Sequence, residues 1–111
     1  MMRGKFVTAG LIAAVLTFGW GLSAPVASAP QYDPEDEWHG LPEDEGRDVL
    51  YYNCVACHSM GTIMQQRLNR SMWNRTIDRM INDMGMPEPP EEEREIILDY
   101  LEEHFGQDSP R

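Results

Sequence analysis

The run Cys54-Val55-Ala56-Cys57-His58 contains the only two cysteines of the chain, three residues apart, with a histidine directly after the second. This C-x-x-C-H spacing is the attachment motif of c-type haem, in which both thiols form thioethers with the porphyrin and the imidazole binds the iron. A thioredoxin-like redox pair is the alternative, and two cysteines are too few for a structural zinc site or a disulfide framework. We therefore predict one covalent haem c, bound through Cys54, Cys57 and His58.

Residues 1–29 have the order of features found in a secretory signal peptide. Arg3 and Lys5 precede an uncharged apolar run over residues 6–22, and small residues dominate positions 23–29. An uncleaved membrane anchor is the alternative, since the run is at the short limit for crossing a bilayer. In either case we expect the folded part outside the cytoplasm, in the periplasm.

The mature part is small and strongly acidic. All 19 acidic residues follow Pro30, whereas two of the nine basic residues belong to the leader, so the formal charge after cleavage is about −12. This charge disfavours nucleic acid and anionic lipid surfaces and favours a basic face on another protein, although simple solubility explains it equally well. About eighty residues make one thin-cored domain, for which a covalent haem would act as a staple.

Residues 30–42 and 43–111 differ in pattern. The first segment combines prolines, acids and isolated aromatics without a helical or strand period, which predicts an extended acidic arm. Its Tyr32 and Trp38 are expected to pack on the domain rather than on a partner. Residues 43–111 contain no alternating apolar and polar run long enough for a strand, so we predict an all-α domain.

Three helices are predicted in this domain. The first runs from about residue 43 into the C-x-x-C-H motif, the second covers 70–84 with Asn69 or Ser71 as its cap, and the last covers 90–105. The first and last are expected to cross where Gly46 allows close approach. His104 is expected to compensate the dipole of the last helix or to pack, rather than to bind iron.

A sixth iron ligand is sought among the methionines. A thioether opposite the histidine raises the reduction potential and suits electron transfer. Periodicity assigns Met72, Met80 and Met84 to the core face of the second helix, which favours Met86, in the loop before Pro87.

Several short runs carry a family resemblance: Asn53 to Ser59, Trp73, Arg79-Met80-Ile81, Gly85-x-Pro87 and Asp99-Tyr100-Leu101. Through them, nearly the whole mature part resembles a small class I cytochrome c. Within that class it is similar to the mono-haem cytochrome subunits of bacterial sulfite dehydrogenases and related dehydrogenase-linked cytochromes. The resemblance implies three to four helices wrapped around one haem.

The same resemblance implies that Met80, seven residues after Trp73, is the sixth ligand. The mitochondrial-type pattern, with methionine beside proline in a loop, instead selects Met86, and Met84 is a third candidate. The chain also lacks the proline that many class I members place after the motif to orient the proximal imidazole.

Two further groups are candidates for contact with the haem propionates. The indole N–H of Trp73 would donate to a propionate, unless the ring only fills the core. Four arginines would neutralise propionates, unless they form a solvated helix face: Arg67, Arg70, Arg75 and Arg79.

The motif and the resemblance together predict a periplasmic carrier of single electrons rather than an enzyme. Its expected partners are a dehydrogenase, similar to sulfite dehydrogenase, and a downstream oxidase or cytochrome. The alternative is a haem enzyme or gas sensor with an open or weakly held sixth site.

Overall fold

The computed structural model describes residues 19, 21–24 and 28–110. It contains four helices: α1 (Arg47–Cys54), α2 (Met60–Met64), α3 (Arg70–Met84) and α4 (Glu91–Phe105). Within these ranges no strand occurs, which confirms the all-α prediction. The predicted signal peptide falls largely outside the described residues. Among the residues that are described, no helix has the length and apolar character needed to span a membrane.

Local signals determine the ends of α3. The side chain of Asn69 accepts a hydrogen bond from the Met72 N–H at 2.9 Å, as expected of an N-cap. At the other end Gly85 has φ 76°, a left-handed conformation that glycine adopts without steric cost. The predicted limits of residues 70–84 are therefore confirmed, and the limits of α4 differ from the prediction by one residue.

The first helix begins later than predicted. Gly46 has φ 88°, so the chain enters the helix from a left-handed residue and α1 starts at Arg47 rather than near residue 43. The short helix α2 was not predicted at all. Its five residues are too few to show a helical period, and its buried Met60 and Met64 resemble isolated apolar positions.

Helix α4 is the centre of the domain, since it packs against both α1 and α3. Its buried face carries Ile97, Leu98, Tyr100, Leu101 and Phe105. Removing each such side chain from water contributes about 1.5–3 kcal/mol, so this face supplies much of the core.

Gly46, directly before α1, lies against α4. A Cβ atom at this position would lie 2.7 Å from Ile96 Cγ2 and 3.3 Å from the Ile96 carbonyl oxygen. Nearby, the Tyr100 hydroxyl donates to the Pro42 carbonyl at 2.6 Å, and Leu50 is fully buried. The predicted crossing at Gly46 is confirmed.

Substituting Gly46 by alanine is expected to destabilise the domain by about 3 kcal/mol, because it combines a left-handed backbone with a steric clash. Gly85→Ala is the matched control, since Gly85 has a similar φ of 76° but nothing within 4 Å of the added Cβ. We expect the control to lose only about 1 kcal/mol. Urea denaturation of both variants measures the difference, and equal losses would show that the close approach to α4 has no energetic effect.

The segment over residues 30–42 is not the extended arm that was predicted. Residues 34–40 form consecutive turns, which the Asp33 N–H closes by donating to the His39 carbonyl at 3.1 Å. The Asp36 carboxylate accepts the N–H groups of Trp38 and Gly40, both at 3.0 Å. Such side-chain turns were overlooked because prolines and acids are equally typical of extended chain. The segment, called the arm below, then returns to the domain.

The aromatic residues of the arm pack on the domain, as expected. Trp38 packs against the hydrophobic core, and Leu41 is itself buried in it. The Tyr32 ring lies against Gly61 of α2, where an added Cβ would be 3.1 Å from Tyr32 Cγ. The arm is therefore part of the folded domain.

Candidate functional site

A cavity of about 200 Å³ lies between α1, α2, α3 and α4. All five predicted site residues line it: Cys54, Cys57, His58, Trp73 and Met80. Of the seven other lining residues Asn53 is polar, and the remaining six are apolar: Ile63, Ile77, Met84, Met86, Ile97 and Leu101. Residues that lie far apart in sequence therefore meet around one largely apolar space.

The C-x-x-C-H motif forms a tight turn at the end of α1. The N–H groups of Cys57 and His58 both donate to the Cys54 carbonyl at 3.4 Å, and Val55 N–H donates to the carbonyl of Tyr51 at 2.9 Å. This winding brings both thiols and the imidazole to the cavity wall. Cys54 and His58 are half-buried, whereas Cys57 is exposed, and neither cysteine is in a disulfide.

The environment of Cys54 does not resemble that of a redox-active thiol. Burial, and secondarily the neighbouring Cys57, raise the pKa of Cys54 to about 11. Reactive C-x-x-C pairs instead have a lowered thiol pKa, commonly at the N-terminus of a helix, whereas Cys54 ends α1. The structure thus argues against the thioredoxin-like alternative.

The methionines of α3 and the following loop form a second part of the wall. Of the six methionines after His58, only Met80, Met84 and Met86 line the cavity, while Met60 and Met64 lie in the hydrophobic core. Met80 and Met86 are half-buried, and Met84 is 64% exposed. The structure therefore reduces six thioethers to three.

Backbone hydrogen bonds hold Met80 and Met86 close together. The Met80 carbonyl accepts the N–H of Gly85 and also the N–H of Met86, the latter at 3.0 Å. The loop after α3 therefore folds back against the last turn of that helix. Both of the main candidates for the sixth ligand, one predicted from resemblance and one from loop position, reach the same cavity.

Trp73 lines the cavity but does not have the hydrogen bond suggested for it. Its indole N–H donates to the Phe105 carbonyl at 3.3 Å, and the side chain is only 4% exposed. Because the end of α4 accepts this N–H, the structure favours the second interpretation, in which the Trp73 ring fills the core. Trp73 acts as a wall residue that joins α3 to α4.

The four arginines proposed to contact haem propionates lie outside the cavity. None of the four named above is among its lining residues. Arg70 pairs with Glu95, Asp99 and Glu102 of α4, at 2.6, 2.6 and 3.2 Å. Arg67 donates to the Ser109 and Pro110 carbonyls. These contacts favour the interpretation in which the arginines join helices and form a solvated surface, rather than the one in which they neutralise propionates.

His104 is also accounted for by contacts outside the cavity. Its Nε2 lies 2.9 Å from Asp44 Oδ2, and its ring centroid is 4.5 Å from that of Tyr100. Hydrogen bonds from the Glu45 N–H and from His104 hold the pKa of Asp44 below its usual value. This agrees with the packing role expected for His104 near the end of α4.

Five lining residues were not predicted as site residues: Asn53, Ile63, Ile77, Ile97 and Leu101. Asn53 donates to the Val49 carbonyl at 2.9 Å and to the Glu93 carboxylate at 3.2 Å, which links α1 to the start of α4 beside the motif. Ile63 comes from α2, the helix that sequence periodicity did not reveal. Because Asn53 directly precedes Cys54, its sequence position could have indicated that it lies at the site. Nothing in the local sequence indicated Ile63.

The lining residues offer two thiols, one imidazole and three thioethers around an apolar space. Thiols can form covalent thioethers, and imidazole and thioether are both ligands of haem iron. The set is of the kind that could hold an apolar, iron-containing cofactor.

Comparison of the chain with protein-family models, with curated proteins and with solved structures found no match.

Proposed function

We propose that this protein is an exported mono-haem cytochrome c that carries single electrons, with its four helices in the arrangement of a small class I cytochrome c. One observation carries the proposal. Both thiols and the imidazole of the C-x-x-C-H motif line an apolar cavity together with the thioethers of Met80, Met84 and Met86. This is the donor set that covalent attachment and axial ligation of one haem c require.

Each residue of the set has a distinct role in this proposal. Cys54 and Cys57 would hold the cofactor covalently, and His58 and Met80 would bind its iron, with Met86 as the alternative to Met80. Haem c supplies a one-electron couple when bound. The apolar side chains of Ile77, Ile97 and Leu101 would exclude water from a bound cofactor and so keep the local dielectric low.

Met80 is preferred to Met86 because the closer family resemblance selects it. Its geometry is compatible with that role, since it is half-buried on α3 and its carbonyl is fixed by two N–H groups. Met84 is the weakest candidate because its side chain is 64% exposed. A water-exposed thioether would have to be reordered before it could bind iron.

Spectra distinguish an electron carrier from the alternative, a haem enzyme or gas sensor. A thioether that closes the sixth site should give a low-spin spectrum in both oxidation states, with no change when carbon monoxide is added to the reduced protein. The chain should be produced with a haem-attachment system and purified from the periplasm. Rapid binding of carbon monoxide by the unaltered protein would favour the gas sensor or enzyme instead.

The proposed electron donor is a periplasmic dehydrogenase similar to sulfite dehydrogenase, and the acceptor is an oxidase or another cytochrome. The dehydrogenase proposal rests on the family resemblance. A charge of about −12 on the mature part supports a partner with a basic docking face.

Salt should slow reduction of this protein by a freely diffusing dehydrogenase. Between about 10 mM and about 200 mM salt we expect the bimolecular rate constant to fall about tenfold, because screening weakens the electrostatic steering. Stopped-flow measurements with candidate dehydrogenases would measure it. A permanently docked subunit would instead transfer electrons at a rate that salt barely changes, and no reduction by any periplasmic dehydrogenase would refute the proposed donor.

A further inference from the structure

Five aromatic side chains of the arm and α1 form a continuous cluster. We call it the arm–α1 patch, and its members are Tyr32, Trp38, His39, Tyr51 and Tyr52. Neighbouring ring centroids are 5.2–6.1 Å apart, all in edge-on contact. Such spacing is typical of rings that pack directly against each other.

Part of this patch is open to solvent. Tyr52 is 71% exposed and Tyr32 is 43% exposed, although both rings belong to the cluster. Isolated exposed aromatics are ordinary, but a connected group with exposed members is typical of an interaction surface. Tyrosine is also enriched among the residues that dominate binding energy at interfaces.

Acidic residues surround the patch in sequence. Residues 33–48 contain eight of the 19 acidic residues of the chain and one basic residue, Arg47. The Arg47 guanidinium lies 4.8 Å from the centroid of the Trp38 ring, so it covers an aromatic face. The patch therefore combines an aromatic centre with negative charge. A second copy of this chain would bring the same negative charge, which opposes self-association through this surface.

The patch is pre-formed. The Asp36 carboxylate holds the turn through the Gly40 and Trp38 N–H groups, and these hydrogen bonds keep the pKa of Asp36 below its usual value. The Asp33 and Leu41 N–H groups add backbone bonds across the same turns. A partner would thus meet an ordered surface, and docking would cost little conformational entropy.

We propose that the arm–α1 patch is the docking surface for the basic face of a partner protein, with Tyr52 as its central contact. Tyr52 lies in α1 two residues before Cys54, on a different face of the helix, so a docked partner would contact the helix that carries the cavity-lining thiol but not the thiol itself. The identity of the partner as a redox protein rests on the proposed function. The recognition itself depends only on the aromatic and acidic groups of the patch.

An amide NMR titration tests the proposal on the mature protein purified from the periplasm. The probe is a synthetic hexapeptide of four lysines and two leucines, which imitates a basic face with apolar groups. We expect shifts concentrated in residues 32–52. Tyr52→Ser should weaken binding about fivefold, whereas Tyr52→Phe should bind like the unaltered protein. Circular dichroism of each variant checks that the helices persist.

A pair of charge variants separates docking from general attraction. Glu35→Gln with Glu37→Gln removes two exposed charges of the arm and should weaken binding about threefold. Glu91→Gln with Glu92→Gln removes the same charge from the exposed start of α4 and should leave binding unchanged. Equal weakening by both pairs, shifts centred on Met84, or an unaffected Tyr52→Ser variant would overturn the proposal. A haem-stained denaturing gel tests the proposed cytochrome function separately, because it reports covalent haem. The NMR titration reports only binding to the patch, so failure of one proposal can be distinguished from failure of the other.

Discussion

Replacing both motif cysteines, Cys54→Ser with Cys57→Ser, is expected to give a polypeptide that retains no covalent haem and is largely unfolded. The two thiols are the only ones in the chain, so no other residue can form the thioethers. If the predicted leader is removed, about eighty residues would form a domain with a thin core, for which a bound cofactor would act as a staple. Losing it would expose the apolar residues of the cavity wall.

The measurement is a denaturing gel stained for haem, together with circular dichroism of the purified chain. Each single variant should keep one thioether and show reduced but detectable stain. Replacement of both cysteines by alanine is the matched control, because it removes the thiols without adding hydroxyl groups to a half-buried position. Haem colour that stays on the denatured double variant would end the cytochrome proposal.

Met80→Ala is expected to produce the second large effect. Loss of the thioether should open the sixth site, allow carbon monoxide to bind and abolish the weak near-infrared sulfur-to-iron band. The reduction potential should fall by on the order of 100 mV, because a neutral sulfur ligand favours the ferrous state. Absorption spectra and redox titration measure these changes.

Met84→Ala and Met86→Ala are the controls for this prediction. Both residues line the same cavity, so they test which thioether binds rather than whether a methionine there affects packing. Both variants should keep the near-infrared band. A band that survives Met80→Ala and disappears in Met86→Ala would show that the loop residue is the ligand.

The helices were predictable where their signals are local. Asn69 caps the start of α3 and the left-handed Gly85 ends it, and apolar residues recur at helical spacing between them. The helix therefore has the predicted limits. The start of α1 was misplaced because Gly46 was interpreted only as a close-contact residue, although its φ of 88° also delays the helix. Helix α2 lacks such signals, since five residues cover little more than one turn.

The arm shows where composition misleads. Its prolines and acids favour an extended chain, but a single carboxylate, that of Asp36, accepts two backbone N–H groups and closes the turns. Aspartate in this role is indistinguishable by composition from a solvated charge. The packing of Trp38 on the core then returns the arm to the domain.

The sequence alone identified the candidate haem-binding residues and the course of α3 and α4. Both depend on groups within one or two helical turns of each other, such as the C-x-x-C-H spacing and the apolar period. Tertiary structure alone decided which methionines share a cavity with the thiols and where the Trp73 indole N–H donates. The Trp73 bond joins residues 32 positions apart, and the Tyr100–Pro42 bond spans 58. Such partners are selected by the packing of whole helices, which no local pattern records.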